Sequence, residues 1–276
     1  MAARPIFVLS SGRSGSATLA RLLSGRPDIE MHHEYLCTHI QEAACRYAMG
    51  LAGEAETRRA IERLHGAAIH YARTPLWGDS SNKLSFVSAL LVDLFPEARF
   101  VHLTRDGRKV AGSYARKLAD ECYDDRSVAI LAGHVRSPAA HPAPPPEKRY
   151  WWPIPRAPHP MAERFAAFSQ FERVAFHWAW SNEAILEGLG AAPASRVARV
   201  RLEDLRARPS AVGELLDFVG LAPRGDEFAA LQRPHNVNRP EDRPLTPDER
   251  ARFEAIATDM MHRLGYGESE EYVVNY

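Results

Sequence analysis

The chain has 276 residues, 45% of them hydrophobic, which is enough for a substantial core in one domain. Lys plus Arg and Asp plus Glu both number 35, so nothing global recruits nucleic acid or an acidic membrane, and any anion site has to be concentrated by the fold. Cys37, Cys45 and Cys122 form an odd set without C-x-x-C spacing, which argues against a disulfide framework or a zinc site and points to a reducing cytoplasm; no apolar run is long enough for a signal-peptide core or a membrane anchor.

The first element is a short apolar run, Pro5 to Leu9, followed by Ser10-Ser11-Gly12-Arg13-Ser14-Gly15-Ser16-Ala17-Thr18 and then Leu19, Leu22 and Leu23 at helical spacing. This predicts strand, tight loop, helix. Such a loop aims unpaired backbone N–H groups, and the positive end of a helix dipole, at one point where an anion belongs. Gly12 and Gly15 permit the close approach, Ser14, Ser16 and Thr18 add hydroxyls, and Arg13 adds a full charge. The loop lacks the Lys of G-x-x-x-x-G-K-[ST], so it predicts phosphate binding without the usual nucleoside-triphosphatase chemistry.

A turn at Gly25 to Asp28 leads to a second short strand, Ile29 to Glu34, and two helices are expected between Leu36 and Tyr71. Leu76 to Lys83 reads as a strand entering a polar loop, Phe86 to Phe95 as a helix stopped by Pro96, and Arg99 to Arg105 as a strand that turns at Asp106-Gly107-Arg108 into another helix. Repeated strand–helix alternation predicts an α/β fold, a central parallel β-sheet flanked by helices with ligands outside the carboxyl ends of the strands. Between Asp120 and Pro160 the regular pattern gives way to a Pro-rich insertion or flap whose Tyr150, Trp151 and Trp152 require burial. One long helix is expected from Met161 to Leu189, then a strand over Arg196 to Arg201 and a helix ending at Gly220; a last helix opens on the capping box Thr246-Pro247-Asp248-Glu249 and stops near Gly265.

Three stretches together resemble the sulfotransferases that use 3′-phosphoadenosine 5′-phosphosulfate (PAPS). Gly12-Arg13-Ser14-Gly15-Ser16 is similar to their 5′-phosphosulfate loop, Val101 to Arg108 through Ser113 to their 3′-phosphate segment, and Val200-Arg201-Leu202-Glu203-Asp204-Leu205 through Pro209 to a third, later motif. The resemblance implies a P-loop-like sulfotransferase fold with PAPS as co-substrate, no metal requirement, and PAP as product. It places the donor on Ser11, Gly12, Arg13, Ser14, Gly15, Ser16, Ala17 and Thr18, with Arg105, Ser113 and Arg116 toward the 3′-phosphate. Lys109, Ser113, Arg116 and Lys117 share a helix face, on which Lys109 and Lys117 are expected to be solvated.

Within the family the likeness is nearest to tyrosylprotein sulfotransferases, through Arg13-Ser14-Gly15, Asn82-Lys83 and Arg105-Asp106-Gly107-Arg108. It implies Lys83 and Arg13 as the cations at the leaving oxygen and Glu34 as the base, with His32 and His33 as alternatives. Ser85 stands where cytosolic relatives carry a catalytic His. Near a desolvated acceptor the Glu34 pKa is expected to rise toward working pH. The late segment His235 to Arg239 falls in the region that closes the adenine side in the family. The acceptor is expected to be a small molecule or glycan, its identity open, with no nucleic-acid partner and homo-oligomerisation open. The alternatives are a P-loop small-molecule kinase, which needs Mg²⁺ and a Walker lysine, and a non-catalytic nucleotide-binding module, which needs neither Lys83 nor Glu34.

Overall fold

The computed structural model describes residues 2–232 and 244–270. Its centre is a five-stranded parallel sheet in the order β2-β3-β1-β4-β5. β1 (Arg4–Leu9) runs through the Gly-rich loop into α1 (Ser16–Leu23), and β2 (Ile29–His33) leads to α2 (Cys37–Ala48). The two expected helices between residues 36 and 71 are α2 and a second that starts as α3 (Glu54–Ile61), passes through a π turn at Glu62–Gly66 and ends as α4 (Ala67–Tyr71). β3 (Leu76–Ser81) enters a 3₁₀ turn at Asn82–Val87 and α5 (Ser88–Leu94); β4 (Arg99–Thr104) enters α6 (Gly107–Lys117), capped by the Asp106 carboxylate on Arg108 N–H.

The central strands β3, β1 and β4 are buried almost throughout, whereas β2 and β5 at the edges are half-exposed, as expected for a parallel sheet covered on both faces. Phe7, Leu9, Trp77 and Phe100 pack on one face beneath α2 to α5; Ile6, Val8, Val101 and Leu103 pack on the other beneath α1 and the later helix Pro209–Val219. Each fully buried Phe, Val, Leu or Ile side chain contributes roughly 1.5–3 kcal/mol over its exposed state. β1 feeds β2 on one side while β4 feeds β5 on the other, and the strand order reverses between them, where open α/β sheets bind ligands.

The segment from 120 to 160 departs from the expectation of irregular chain. It contains α7 (Asp125–Arg136), started by the Asp124 side chain accepting Ser127 N–H, with Val128, Leu131 and Val135 turned toward the core. The rest is turns, a 3₁₀ turn at Lys148–Tyr150 and irregular chain, laced down: Trp151 Nε1 donates to Pro145 O at 2.9 Å, Trp152 Nε1 to Glu121 O at 2.9 Å, and the Tyr123 hydroxyl to Pro153 O at 2.7 Å. Trp151 and Trp152 are buried as expected.

The single long helix expected after residue 160 is two: α8 (Ala162–Phe165) and α9 (Gln170–Gly188). The break is the capping box Ser169-x-x-Glu172, which restarts the chain as a new helix. β5 (Val197–Arg201), α10 (Leu202–Ala207), α11 (Pro209–Val219, closed by Gly220 at φ 81°), α12 (Glu227–Gln232) and α13 (Pro247–Arg263) complete the described chain. No described helix is long and apolar enough to cross a membrane.

Candidate active site

Leu9, Ser81 and Thr104 end β1, β3 and β4 side by side, so the loops that follow meet above one edge of the sheet. In the first loop Gly12, Arg13 and Gly15 all have positive φ (82°, 53° and 90°), and a Cβ on Gly12 would lie 1.9 Å from the Tyr114 hydroxyl. Gly12 is therefore required both by conformation and by space. The Ser14 hydroxyl donates to Gly12 O at 3.0 Å, Ser11 and Ser14 hydroxyls lie 3.3 Å apart, and Ser11 O accepts from Tyr114 (3.0 Å) and His177 (3.2 Å). The first intrahelical bond of α1 is Leu19 N–H to Gly15 O at 2.9 Å, which leaves the N–H groups ahead of it, including those of Ser16, Ala17 and Thr18, without intrahelical acceptors.

The structure brings Arg13, Arg105 and Ser113 together. Arg13 Nε donates to Ser113 Oγ at 3.0 Å, and Arg105 donates to Arg13 O at 3.1 Å. Burial first, and then Arg105, depress the Arg13 pKa, against the pull of Tyr114 and Glu34. Two guanidinium groups held this close, with the Arg105 Nε buried and without a hydrogen-bond partner, fit a bound anion. Arg116 folds over Gly112 on the same helix. Lys109 is buried rather than solvated, because the turn of α6 that carries it is packed under α9 and α13. The Lys117 side chain and the segment His235 to Arg239 lie outside the described residues.

Lys83 does not sit in an open polar loop. The 3₁₀ turn, held by the Ser81 hydroxyl on Lys83 N–H at 3.2 Å, carries its side chain inward to 4% exposure. Its Nζ lies 4.0 Å from the Trp152 ring centroid and has no hydrogen-bond partner among the described residues. Burial lowers its pKa to about 8, with Glu34 opposing the shift and Lys148 adding to it. Ser85 is structural: its hydroxyl donates to Ser10 O at 2.8 Å and Asn82 O at 3.0 Å, which binds the turn to the end of β1.

Glu34 follows β2 in a left-handed conformation, φ 55°, at a cost of roughly 1–2 kcal/mol for an L-residue. Its carboxylate accepts from Lys148 Nζ at 2.8 Å. The expected upward pKa shift is reversed: burial does push the carboxyl up, but Lys83, then Lys148, outweigh it and hold it below the usual carboxylate range. The two histidines separate. His33 lies 3.3 Å from the Ser16 hydroxyl, while His32 turns to Glu30 at 2.9 Å and packs at a tilt against Tyr35 and Trp77.

Several residues that complete this arrangement are not motif residues, although Tyr114 directly follows one, Ser113. Lys148 and Trp152 belong to the Pro-rich insertion, Tyr114 to α6 and His177 to α9. Burial and then Lys83 drive His177 to a pKa of about 3, so it is a neutral ring. Only the run of aromatic residues in 150–152 and 165–180 signals in the sequence that something there must be covered.

Residues 5–131, from β1 into α7, match the family model described as "Sulfotransferase family". The structure resembles a crystal structure of a sulfotransferase from Mycobacterium avium at 12% identity and a TM-score of 0.58, covering 100% of this chain and 79% of that one. It also resembles a sulfotransferase from Alicyclobacillus acidocaldarius at 17% identity and a TM-score of 0.52, covering 99% and 98%. These likenesses establish the sulfotransferase-type α/β fold. No curated protein sequence matches the chain.

Proposed function

We propose that the protein is a sulfotransferase that moves a sulfuryl group from PAPS to a hydroxyl or amine of a small-molecule or glycan acceptor, leaving PAP. The observation that carries this reading is the Lys83 ammonium, buried without a hydrogen-bond partner among the described residues, beside the Gly-rich loop and within electrostatic reach of the Glu34 carboxylate. A kinase has no use for that pair in place of a Walker lysine, and a module that only binds nucleotide needs neither member.

The residues fit the donor. The N–H groups of Gly12 to Thr18, with the hydroxyls of Ser11, Ser14, Ser16 and Thr18, would hold the 5′-phosphosulfate; Arg105, Ser113 and Arg116 would take the 3′-phosphate. When bound, PAPS supplies a sulfuryl group on a phosphate leaving group. Lys83 and Arg13 then neutralise the charge that builds on the leaving oxygen, in a site where Trp152 excludes water. Glu34 takes the proton of the attacking group through the carboxylate oxygen that does not meet Lys148, as the tyrosylprotein-type likeness implies. One acceptor–sulfur bond forms as the sulfur bond to the phosphate oxygen breaks.

Incubation with labelled PAPS and an acceptor library tests this, with sulfated product and PAP expected in equal amounts. Lys83→Ala should lower kcat, and the deficit should shrink with a donor whose leaving group is intrinsically better. Failure of PAP to bind would sink the assignment whatever the library returns.

A further inference from the structure

Behind the site lies a buried pair that the chemistry above does not use. His65 and Asp79 are both fully buried, with His65 Nε2 3.1 Å from Asp79 Oδ2. Asp79 stands on β3 opposite His32 of β2. Its second oxygen, Oδ1, accepts the N–H of Tyr35 at 3.0 Å. One residue earlier, Glu34 N–H donates to Ser80 O at 3.1 Å, which is the last sheet-type bond of β2.

Around these two anchors, from Glu34 to Leu36, the chain makes a turn that its residues resist. Glu34 and Leu36 both have positive φ, 55° and 45°, and neither is Gly or Asn. Such a turn persists only where its surroundings determine it, and Asp79 supplies the bond that does so on the far side of Glu34. His65 in turn holds Asp79. It sits in the π turn at Glu62–Gly66, within the every-fourth-residue series Thr57, Ile61, His65 and Ile69, all buried. A plain α-helix of 3.6 residues per turn rotates that series progressively off the sheet; the wider π turn keeps His65 on the buried face. Phe7, Tyr35 and Trp77 enclose the ring and leave Asp79 as its hydrogen-bond partner among the described residues.

We propose that the His65–Asp79 pair positions Glu34, through the Tyr35 N–H, so that its carboxylate faces Lys83. The inference rests on Glu34 acting as the base. Asp79 touches neither acceptor nor donor, so it is a positioning residue, and its loss should act through Glu34 alone.

The test is a double-mutant cycle on kcat, each rate normalised to PAP-binding sites counted by calorimetry. Asp79→Ala should lower kcat on the order of 10–100-fold, the effect of misplacing a reacting group by about an ångström, with PAP affinity unchanged. Asp79→Asn should restore most of the rate, because an amide oxygen still accepts the Tyr35 N–H. In a Glu34→Gln background Asp79→Ala should lower kcat no further. If Asp79→Ala does not accumulate, His65→Gln, which keeps a donor at a different reach, should give the same pattern at smaller amplitude. A loss that adds in full to that of Glu34→Gln, or a wild-type kcat per site, overturns the proposal while leaving the base assignment intact. Full activity of Glu34→Gln alone overturns the base assignment, and this inference with it.

Discussion

An ammonium with no hydrogen-bond acceptor, buried against an indole ring, holds its charge at a cost, and Lys83 carries that cost in a pKa of about 8. The sign is definite: Lys83 is charged below that value and loses its charge as pH rises through it. The kcat/KM for PAPS should therefore fall on a basic limb near pH 8, and Lys83→Arg should remove that limb from the profile while lowering the rate. Glu34 sets the opposite limb. Its carboxyl is held below the usual range, so the acid limb should lie below that of a free glutamate; Lys148→Ala, which removes one of the groups responsible, should move it upward. Glu34→Gln should lower kcat on the order of 10²–10⁴-fold with PAP affinity near wild type. Arg13, Lys83 and Glu34 are named from the sequence by the family likeness, and the structure gathers them at one end of the sheet. The direction of the Glu34 shift is not legible in the sequence, since Lys148 reaches it from 114 residues away, and spacing carries no information about a counter-ion delivered by tertiary packing.

The Pro-rich insertion shows the same limit at the scale of elements. Its composition reads as a flap, yet it contributes α7, the Trp152 lid over Lys83 and the Lys148 partner of Glu34. Proline marks where regular pairing cannot continue, but α7, capped by Asp124, lies between irregular stretches, and the prolines after it set the reading of the whole segment. The strands, in contrast, are legible: β1 and β4 are compact apolar runs closed by turn chemistry, and β3 opens on Leu76-Trp77 before it turns polar. One side chain fastens the insertion to the sheet side of the site: Gln41 of α2 donates from Nε2 to both Lys148 O (3.0 Å) and Trp151 O (2.8 Å). Removing it leaves buried carbonyls unsatisfied, at a cost of about 1–3 kcal/mol. With Lys148 on Glu34, the insertion is expected to line the acceptor side, so Gln41→Ala should raise the acceptor KM while the PAP dissociation constant stays unchanged. An equal loss for both ligands would place the insertion on the donor side instead.

At the scale of the whole molecule, charge is balanced at 35 against 35, yet Arg13, Lys83 and Arg105 are gathered where β1, β3 and β4 end. Like charges packed together and partly desolvated oppose folding, and a bound anion removes that opposition, so ligand and stability are linked. PAP at a hundred times its dissociation constant should stabilise the fold by about 2.7 kcal/mol, which for a chain of this size corresponds to roughly 5–8 °C in Tm. Arg105 lies outside the Gly-rich loop and touches it, among the described residues, at the Arg13 carbonyl. In Arg105→Ala the shift with PAP should collapse toward that with adenosine 5′-phosphosulfate, which lacks the 3′-phosphate, while the adenosine 5′-phosphosulfate shift is nearly kept. Thermal scans of both proteins with both ligands, and with ATP plus Mg²⁺ as the control for a kinase, check this. A loss of equal size for the two ligands would show that Arg105 acts on the 5′ loop through Arg13 rather than on the 3′-phosphate, and a larger shift with ATP plus Mg²⁺ than with PAP would return the molecule to nucleotide chemistry of another kind.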